Sequence, residues 1–387
     1  MTERLRAVVV GPGYIGAVHA DALRRNGVAL AGFVGSGADA GRRRAESFHV
    51  PFFTSLAEAF AAGPVDCVHI TTPNHLHASF ARQAIAAGKH VVCEKPLAID
   101  AAEGQDLLHL ASHAGIVHTV NFNFRFYTLV RQMRELVRSG SLGSLYLIHG
   151  GYLQDWLLFE TDWNWRLDQA LGGSLRAIAD IGSHWLDVVA FVTGQQPASL
   201  CADLATFVPV RRRPACPVET FAGKESSPDE YESVPIVTED YGSVLIHFDG
   251  GARGAMTVSQ VSAGRKNRLE LEISGAGAAV AWTSERVEEL WIGHRNQANE
   301  LLLRDPPVLS PAARAVSTAP GGHAEGYIET HRALFSQVYA AIAAGAPPSQ
   351  PDYPTFADGV RSLRLGDAIA QSARERRWVT PHLAVEA

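Results

Sequence analysis

The chain has 387 residues, 47% hydrophobic and 19% charged, with a formal net charge of -6. That length predicts two domains rather than one core, and the composition excludes a disordered or fibrous chain. The acidic balance argues against a nucleic-acid partner, so Arg42-Arg43-Arg44 and Arg211-Arg212-Arg213 are expected to be solvated surface.

No apolar run is long enough to span a bilayer and no signal-type segment follows Met1, so a cytoplasmic protein is expected. Cys67, Cys93, Cys201 and Cys216 form no CxxC pair and read as small apolar fillers in a reducing compartment.

In chain order, residues 5–10 form a predicted strand that runs into Gly11-Pro12-Gly13-Tyr14-Ile15-Gly16, and residues 17–25 continue as a helix closed by Asn26-Gly27. This is a GxGxxG pattern placed between a strand and a helix. Its glycines allow a tight turn, close approach of a pyrophosphate to the backbone, and helix-on-strand packing. The next strand, 28–34, ends in Gly35-Ser36-Gly37, where NAD-preferring proteins usually carry a carboxylate for the ribose hydroxyls. Ser36 with Arg42 or Arg43 suits a ribose phosphate, so NADP is favoured over NAD; Asp39 serving the ribose is the alternative.

Residues 65–70 form a strand that ends in Thr71-Thr72-Pro73-Asn74-His75-Leu76-His77, a polar stretch suited to a nicotinamide ribose and phosphates. His75 and His77 lack a third ligand at usable spacing, so no metal is expected. The apolar run 91–93 stops at Glu94-Lys95-Pro96, because Pro96 removes a ladder donor and forces Lys95 extended. Lys95 therefore lies at the carboxyl end of a parallel strand, where such sheets face their ligands. The helix 101–114 and the strand 116–120 close the domain, with Asn121 also at a strand end.

Beyond residue 122 the pattern changes. Residues 124–138 carry apolar residues at helical spacing, and 144–152 read as a strand. The loop with Asp162-Trp163-Asn164-Trp165-Arg166 combines aromatic faces with hydrogen-bonding groups, which suits a sugar or polyol and equally suits buried packing. A helix over 180–192 would set Asp180, His184 and Asp187 on one face, with a carboxylate able to orient an imidazole base; a surface ion pair or a satisfied core histidine would look the same. Residues 209–235 read as a polar, Pro-rich and Arg-rich loop. Residues 241–248, 254–262, 268–274, 278–282 and 287–292 read as successive antiparallel strands whose free face predicts a homo-oligomer. A Pro-rich connection over 304–321 and helices over 322–343 and 355–376 complete the chain, with His323 and Tyr327 expected to cap or pack, and bordering the pocket as the alternative.

The ordered combination of GxGxxG, Thr-Thr-Pro-Asn-His-Leu-His, Glu94-Lys95-Pro96 and Asp180-Ile181-Gly182-Ser183-His184-Trp185-Leu186-Asp187 resembles the Gfo/Idh/MocA oxidoreductases, over essentially the whole chain. The resemblance implies an α/β protein with an N-terminal Rossmann dinucleotide-binding domain, 1–122, and a C-terminal α/β domain, 123–387. The latter carries an open, mostly antiparallel sheet that mediates assembly as a homodimer or homotetramer. It implies hydride transfer between a sugar, polyol or glycoside hydroxyl carbon and the nicotinamide of NADP or NAD.

Gly11, Gly13, Tyr14, Ile15, Gly16, Ser36, Arg42, Thr72, Pro73, Asn74, His77, Glu94, Lys95 and Asn121 are the implied cofactor residues. Lys95, Asp180 and His184 are the implied catalytic set, converging on one alcohol oxygen, with Arg125, Trp163 and Arg166 added for substrate. Two other readings share the resemblance: an NAD-dependent glycosidase that works by transient oxidation, and a non-catalytic nucleotide-sensing regulator.

Overall fold

The apolar runs of the first third assemble into one parallel sheet. In this computed structural model, which describes residues 4–215 and 231–385, the strands are β1 (Arg6–Val10), β2 (Ala29–Val34), β3 (Phe52–Phe53), β4 (Cys67–Ile70), β5 (His90–Cys93) and β6 (His118–Val120). They lie in the order β3-β2-β1-β4-β5-β6, and every pairing is parallel. Parallel strands are covered on both faces by their crossover helices, which is why Val8, Val9, Val68, Val91 and Val92 form unbroken apolar runs with no exposure. The order reverses between β1 and β4, and the crevice outside the carboxyl ends at such a reversal is where these sheets take ligands.

The chain divides into two compact units. The first holds the chain up to Asn123 together with Ile328–Leu363, and the second holds Phe124–Tyr327 and Arg364–Leu383. The sequence alone places residues 123–387 in one domain, whereas Ile328–Leu363 belongs to the first unit. The reason is packing: the helix Tyr327–Ala343 sets Phe335 against His19 and His69, while Phe356 and Val360 join the core around Val91 and Leu97.

His118 shows how that return segment is held. The Phe356 backbone N–H donates to His118 Nδ1 at 3.2 Å, which requires a neutral ring. Burial pushes its pKa down from 6.5 to about 4, against a smaller opposing pull from Asp358. Between those two values the unfolded chain binds a proton that the folded chain refuses. The contribution is therefore full above pH 6.5 and is lost as pH falls toward 4. Relative to a His118→Asn variant, the wild-type unfolding free energy is expected to fall by up to about 3 kcal/mol across that window. Urea titrations at several pH values check this, and a pH-independent difference would refute it.

The second unit adds β7 (Leu145–Leu153), β8 (Pro197–Ala205), β9 (Val210–Pro214), β10 (Tyr231–Pro235), β11 (Tyr241–Phe248), β12 (Arg253–Ser259), β13 (Arg268–Gly275), β14 (Ala279–Thr283), β15 (Glu289–Gly293) and β16 (Glu300–Leu303). Eight of these form a sheet in the order β16-β15-β14-β13-β7-β12-β11-β8. It is mixed: β12 pairs with β7 in parallel and the other pairings are antiparallel. The five predicted strands from 241 to 292 are present as β11 to β15, and β16 extends the sheet beyond them.

Alternation decides the faces. Val244, Ile246 and Phe248 of β11 are buried, while Leu245 between them is 56% exposed and Tyr146 of β7 is 62% exposed. The helices Thr128–Arg138 and Ser183–Thr193 supply the other side of the core, through Met133, Trp185 and Val189 among others.

Three local expectations are corrected. The predicted helix 124–138 is broken: a 3-10 turn over Asn123–Phe126 gives way at the extended Tyr127 to the helix Thr128–Arg138. The polar insert 209–235 is not simply a loop, because β9 and β10 pair as an antiparallel ribbon. Cys216 lies outside the described residues. Arg211 is not solvated surface either. Its guanidinium is fully buried against Asp240 and the carbonyls of Leu157 and Phe159, since Asp240 supplies the counter-charge that makes burial tolerable.

Candidate active site

In the first unit the glycines build a cradle. Gly11 has φ +99, and a Cβ there would meet the Thr71 carbonyl oxygen at 2.7 Å. A Cβ on Gly16 would lie 2.0 Å from the Gly11 carbonyl oxygen, so only glycine lets the helix Tyr14–Arg25 start this close to β1. At Gly13 the space is open, and this residue caps the helix with no side-chain bond. The first backbone N–H groups of a twelve-residue helix therefore face an open cradle, which suits phosphate.

Thr71 Oγ1 donates to the carbonyls of Gly11 and Val10 at 2.7 and 2.9 Å and ties this turn to the end of β4. The buried atoms Thr72 Oγ1 and Asn121 Oδ1 have no hydrogen-bond partner among the described residues. An open glycine cradle with unsatisfied polar atoms around it fits a dinucleotide. Pro73 and Asn74 follow Thr72 at the same strand end, with Asn74 opening a 3-10 turn.

His77 faces two carbonyls, Nδ1 to Pro96 at 2.7 Å and Nε2 to Thr72 at 2.9 Å, and thereby braces the Thr72 turn against the Glu94-Lys95-Pro96 turn. The Lys95-Pro96 bond is cis. Glu94 accepts from Asn121 Nδ2 at 2.5 Å and His19 Nε2 at 3.1 Å. Burial works against its ionisation, but those bonds and the neighbouring Lys95 charge outweigh it and hold the carboxyl well below the usual range. At the end of β2, Ser36 is exposed and Arg42 lays its guanidinium over the Phe52 ring at 5.1 Å.

In the second unit the expected helix is present with one modification. Ile178–Gly182 forms a wide π-turn that runs into the helix Ser183–Thr193. Its start is capped by the Glu239 carboxylate, which accepts from the backbone N–H groups of Arg176 and Ile178, each at 2.9 Å. Trp185 pins the helix to the sheet by donating from Nε1 to the Glu270 carbonyl at 3.0 Å. A Cβ on Gly150 would lie 2.9 Å from that indole nitrogen, so the glycine makes room for the ring.

Asp180 is held on two sides, by Gln260 Nε2 at 2.9 Å and Arg166 at 3.2 Å. Arg166 in turn stacks over Trp165 and bonds Asn164 Oδ1. His184, largely buried, lies against Phe124 and Tyr152 with ring centroids 4.9 and 6.3 Å away. A carboxylate held by two donors and an imidazole four residues on is an arrangement suited to proton transfer at an alcohol.

Other expected residues have partners of their own. Asp187, expected beside Asp180 and His184, forms a buried ion pair with Arg125. Arg125 is thereby anchored to that helix. Trp163 packs with Leu157, Leu167 and Ile236 beneath Arg213, so Trp165 is the tryptophan that accompanies Arg166. Gln260 is absent from the sequence reading because a glutamine after a strand carries no motif.

A Rossmann sheet with a glycine cradle, joined in one chain to a mixed and mostly antiparallel sheet carrying an Asp-His helix, defines an NAD-binding oxidoreductase. Residues 5–122 match the model of the oxidoreductase family with an NAD-binding Rossmann fold, and residues 130–281 match the GFO/IDH/MocA C-terminal domain. The chain belongs to the GFO/IDH/MocA oxidoreductase family.

It is 31% identical over 319 residues to levoglucosan dehydrogenase of Pseudarthrobacter phenanthrenivorans, covering 81% of this chain and 80% of that one. A structure of levoglucosan dehydrogenase in complex with NADH and levoglucosan superposes with a TM-score of 0.86 at 26% identity, covering 98% of this chain and 100% of that one. An inositol dehydrogenase homologue from Azotobacter vinelandii complexed with NAD+ gives 0.84 at 27% identity, covering 98% of each chain. Among the described residues no helix is long and apolar enough to cross a membrane.

Proposed function

We propose that the protein is an NAD(P)-dependent dehydrogenase that oxidises a hydroxyl carbon of a sugar or polyol. The observation that carries this reading is Asp180, held by Arg166 and Gln260 on the helix that bears His184. In this reading His184 takes the hydroxyl proton, Asp180 fixes the groups around it, and Lys95 donates a hydrogen bond to the substrate oxygen as charge develops there. The bound nicotinamide supplies the hydride acceptor. Trp165 and Arg166 offer a stacking face and a donor beside Asp180, which suits a ring with several hydroxyls. The 31% identity to levoglucosan dehydrogenase supports the same substrate class.

Residues 35–42 bear on the cofactor. With Gly35-Ser36-Gly37 at the strand end in place of a carboxylate residue, and Arg42 reaching back toward Gly37, the ribose end supports NADP, while the NADH and NAD+ of the two related structures support NAD. The exposed face of the second sheet, with Tyr146 and Leu245, supports assembly as a homodimer or homotetramer. Sedimentation at the monomer mass would oppose that part.

The test is a panel of sugars, polyols and aryl glycosides followed by absorbance of the reduced cofactor, with NAD and NADP in parallel. Reduced cofactor should accumulate with a sugar or polyol, and His184→Asn should slow turnover about a hundredfold. Cleavage of a glycoside without net cofactor reduction, or no reduction with any compound, would overturn the reading.

A further inference from the structure

A buried file of polar side chains runs through the first unit behind Glu94. Glu94 meets His19 Nε2 at 3.1 Å, His19 Nδ1 meets His69 Nδ1 at 3.0 Å, and His69 Nε2 meets the Tyr339 hydroxyl at 2.9 Å. Tyr339 in turn bonds Cys67. His19 and His69 have no exposure, and Phe335 closes against both rings with centroids 4.8 Å away. No catalytic role described above uses His19, His69 or Tyr339.

The protons in this file can be assigned one after another. An ionised carboxylate only accepts, so His19 carries its hydrogen on Nε2. A neutral His19 then accepts at Nδ1, which obliges His69 to carry its hydrogen on Nδ1 and accept at Nε2. The Tyr339 hydroxyl must therefore donate to His69. A cationic His19 would reverse the last two bonds, so the tautomer of His69 tells the two arrangements apart. At the far end Glu94 also accepts the Lys95 backbone N–H at 3.2 Å, so the carboxylate that the file fixes also fixes the chain at Lys95.

We infer that His19, His69 and Tyr339 are positioning residues: a one-way file of hydrogen bonds that presents Glu94 as a fixed, ionised acceptor and through it sets the backbone that carries Lys95. The inference rests on the reading of Lys95 as catalytic. It also gives the helix Tyr327–Ala343 a task in the first unit, as the carrier of the first donor. Without the Tyr339 hydroxyl, the His69 Nε2 lone pair is left buried and unpaired, while the bond from His69 Nδ1–H to His19 still holds the tautomer. The file then lacks its first donor, and His69 is free to turn in the space the hydroxyl leaves.

Nitrogen NMR of 15N-histidine-labelled full-length protein without added cofactor tests this, with signals assigned by His19→Gln and His69→Gln. Neutral rings are expected, with hydrogen on His19 Nε2 and His69 Nδ1. Tyr339→Phe should leave the His69 hydrogen on Nδ1, shift the His69 Nε2 resonance toward that of a free lone pair, and lower kcat about tenfold while KM for the sugar holds. His69→Gln, whose amide donates and accepts in the same order, should keep the turnover that His69→Leu loses.

An imidazolium at His19, or hydrogen on His69 Nε2 in the unsubstituted protein, would overturn the proposal. So would a metal ion retained through chelator treatment, because His331 also has a ligand atom within 4.8 Å of His19 and Glu94, and a metal on His19 Nε2 would remove the N–H. The stated tautomers beside a fully active Lys95→Ala would remove Lys95 from the mechanism and leave the hydrogen-bond order standing. Wrong tautomers beside an inactive Lys95→Ala would do the reverse.

Discussion

A Lys95→Ala variant is expected to lose about 10²–10³-fold in kcat with a far smaller loss of affinity for the dinucleotide, because one preorganised donor aimed at developing charge contributes on that scale. The expectation follows from placement. Pro96 ends the edge at which β5 can pair, Glu94 is fixed by His19 and Asn121, and Glu94 Oε2 takes the Lys95 backbone N–H, so the lysine stem leaves a rigid turn. Phosphate binding depends on other atoms, the helix start at Gly13 and the cradle between Gly11 and Gly16. Arginine should rescue little, since a planar fork does not replace a compact ammonium. Calorimetric titration of the dinucleotide beside steady-state rates checks both halves; a variant with near-normal turnover would remove Lys95 from the mechanism.

An Asp240→Ala variant is expected to destabilise the second unit by about 3–5 kcal/mol, the scale for stranding buried charge. Asp240 is fully buried and holds two fully buried guanidinium groups, Arg176 and Arg211, while its other oxygen takes the Val208 backbone N–H at 2.9 Å. Burial opposes its ionisation, and the two arginines and that N–H more than reverse the effect, leaving its pKa below the ordinary value. The network is costly even when whole, because Arg176 Nε and Nη1 and Arg211 Nε find no acceptor among the described residues. Replacing all three charges together, Asp240→Leu with Arg176→Met and Arg211→Met, should therefore recover most of the loss. All seven tryptophans, from Trp156 to Trp378, lie in the second unit, so tryptophan fluorescence in urea reports its unfolding alone. Equal stability of wild type and Asp240→Ala would refute the account.

The parallel sheet, the glycine cradle and the end of β5 were legible because their causes are local. Alternating apolar runs, a glycine required at φ +99, and a proline that forbids another ladder bond are properties of a few adjacent residues. The helix with His184 was legible for the same reason, through the apolar period of Trp185, Val188, Val189 and Val192. Its wide turn at Ile178–Gly182 was not, since the carboxylate capping its start comes from Glu239, 61 residues beyond Ile178. Asp187 shows the limit of spacing as evidence: helical arithmetic puts it beside Asp180 and His184, and Arg125 decides where its charge is spent.

Local pattern thus determined the strands, the dinucleotide cradle and the placement of Lys95 and His184 on their own elements. Tertiary structure alone decided that Arg211 is interior, that Ile328–Leu363 completes the first unit, and that His19, His69 and Tyr339 line up behind Glu94. The physical reason is that a polar group's fate depends on which partner reaches it. Those partners stand 29, 50 and 270 residues away, for Arg211 with Asp240, His19 with His69, and His69 with Tyr339.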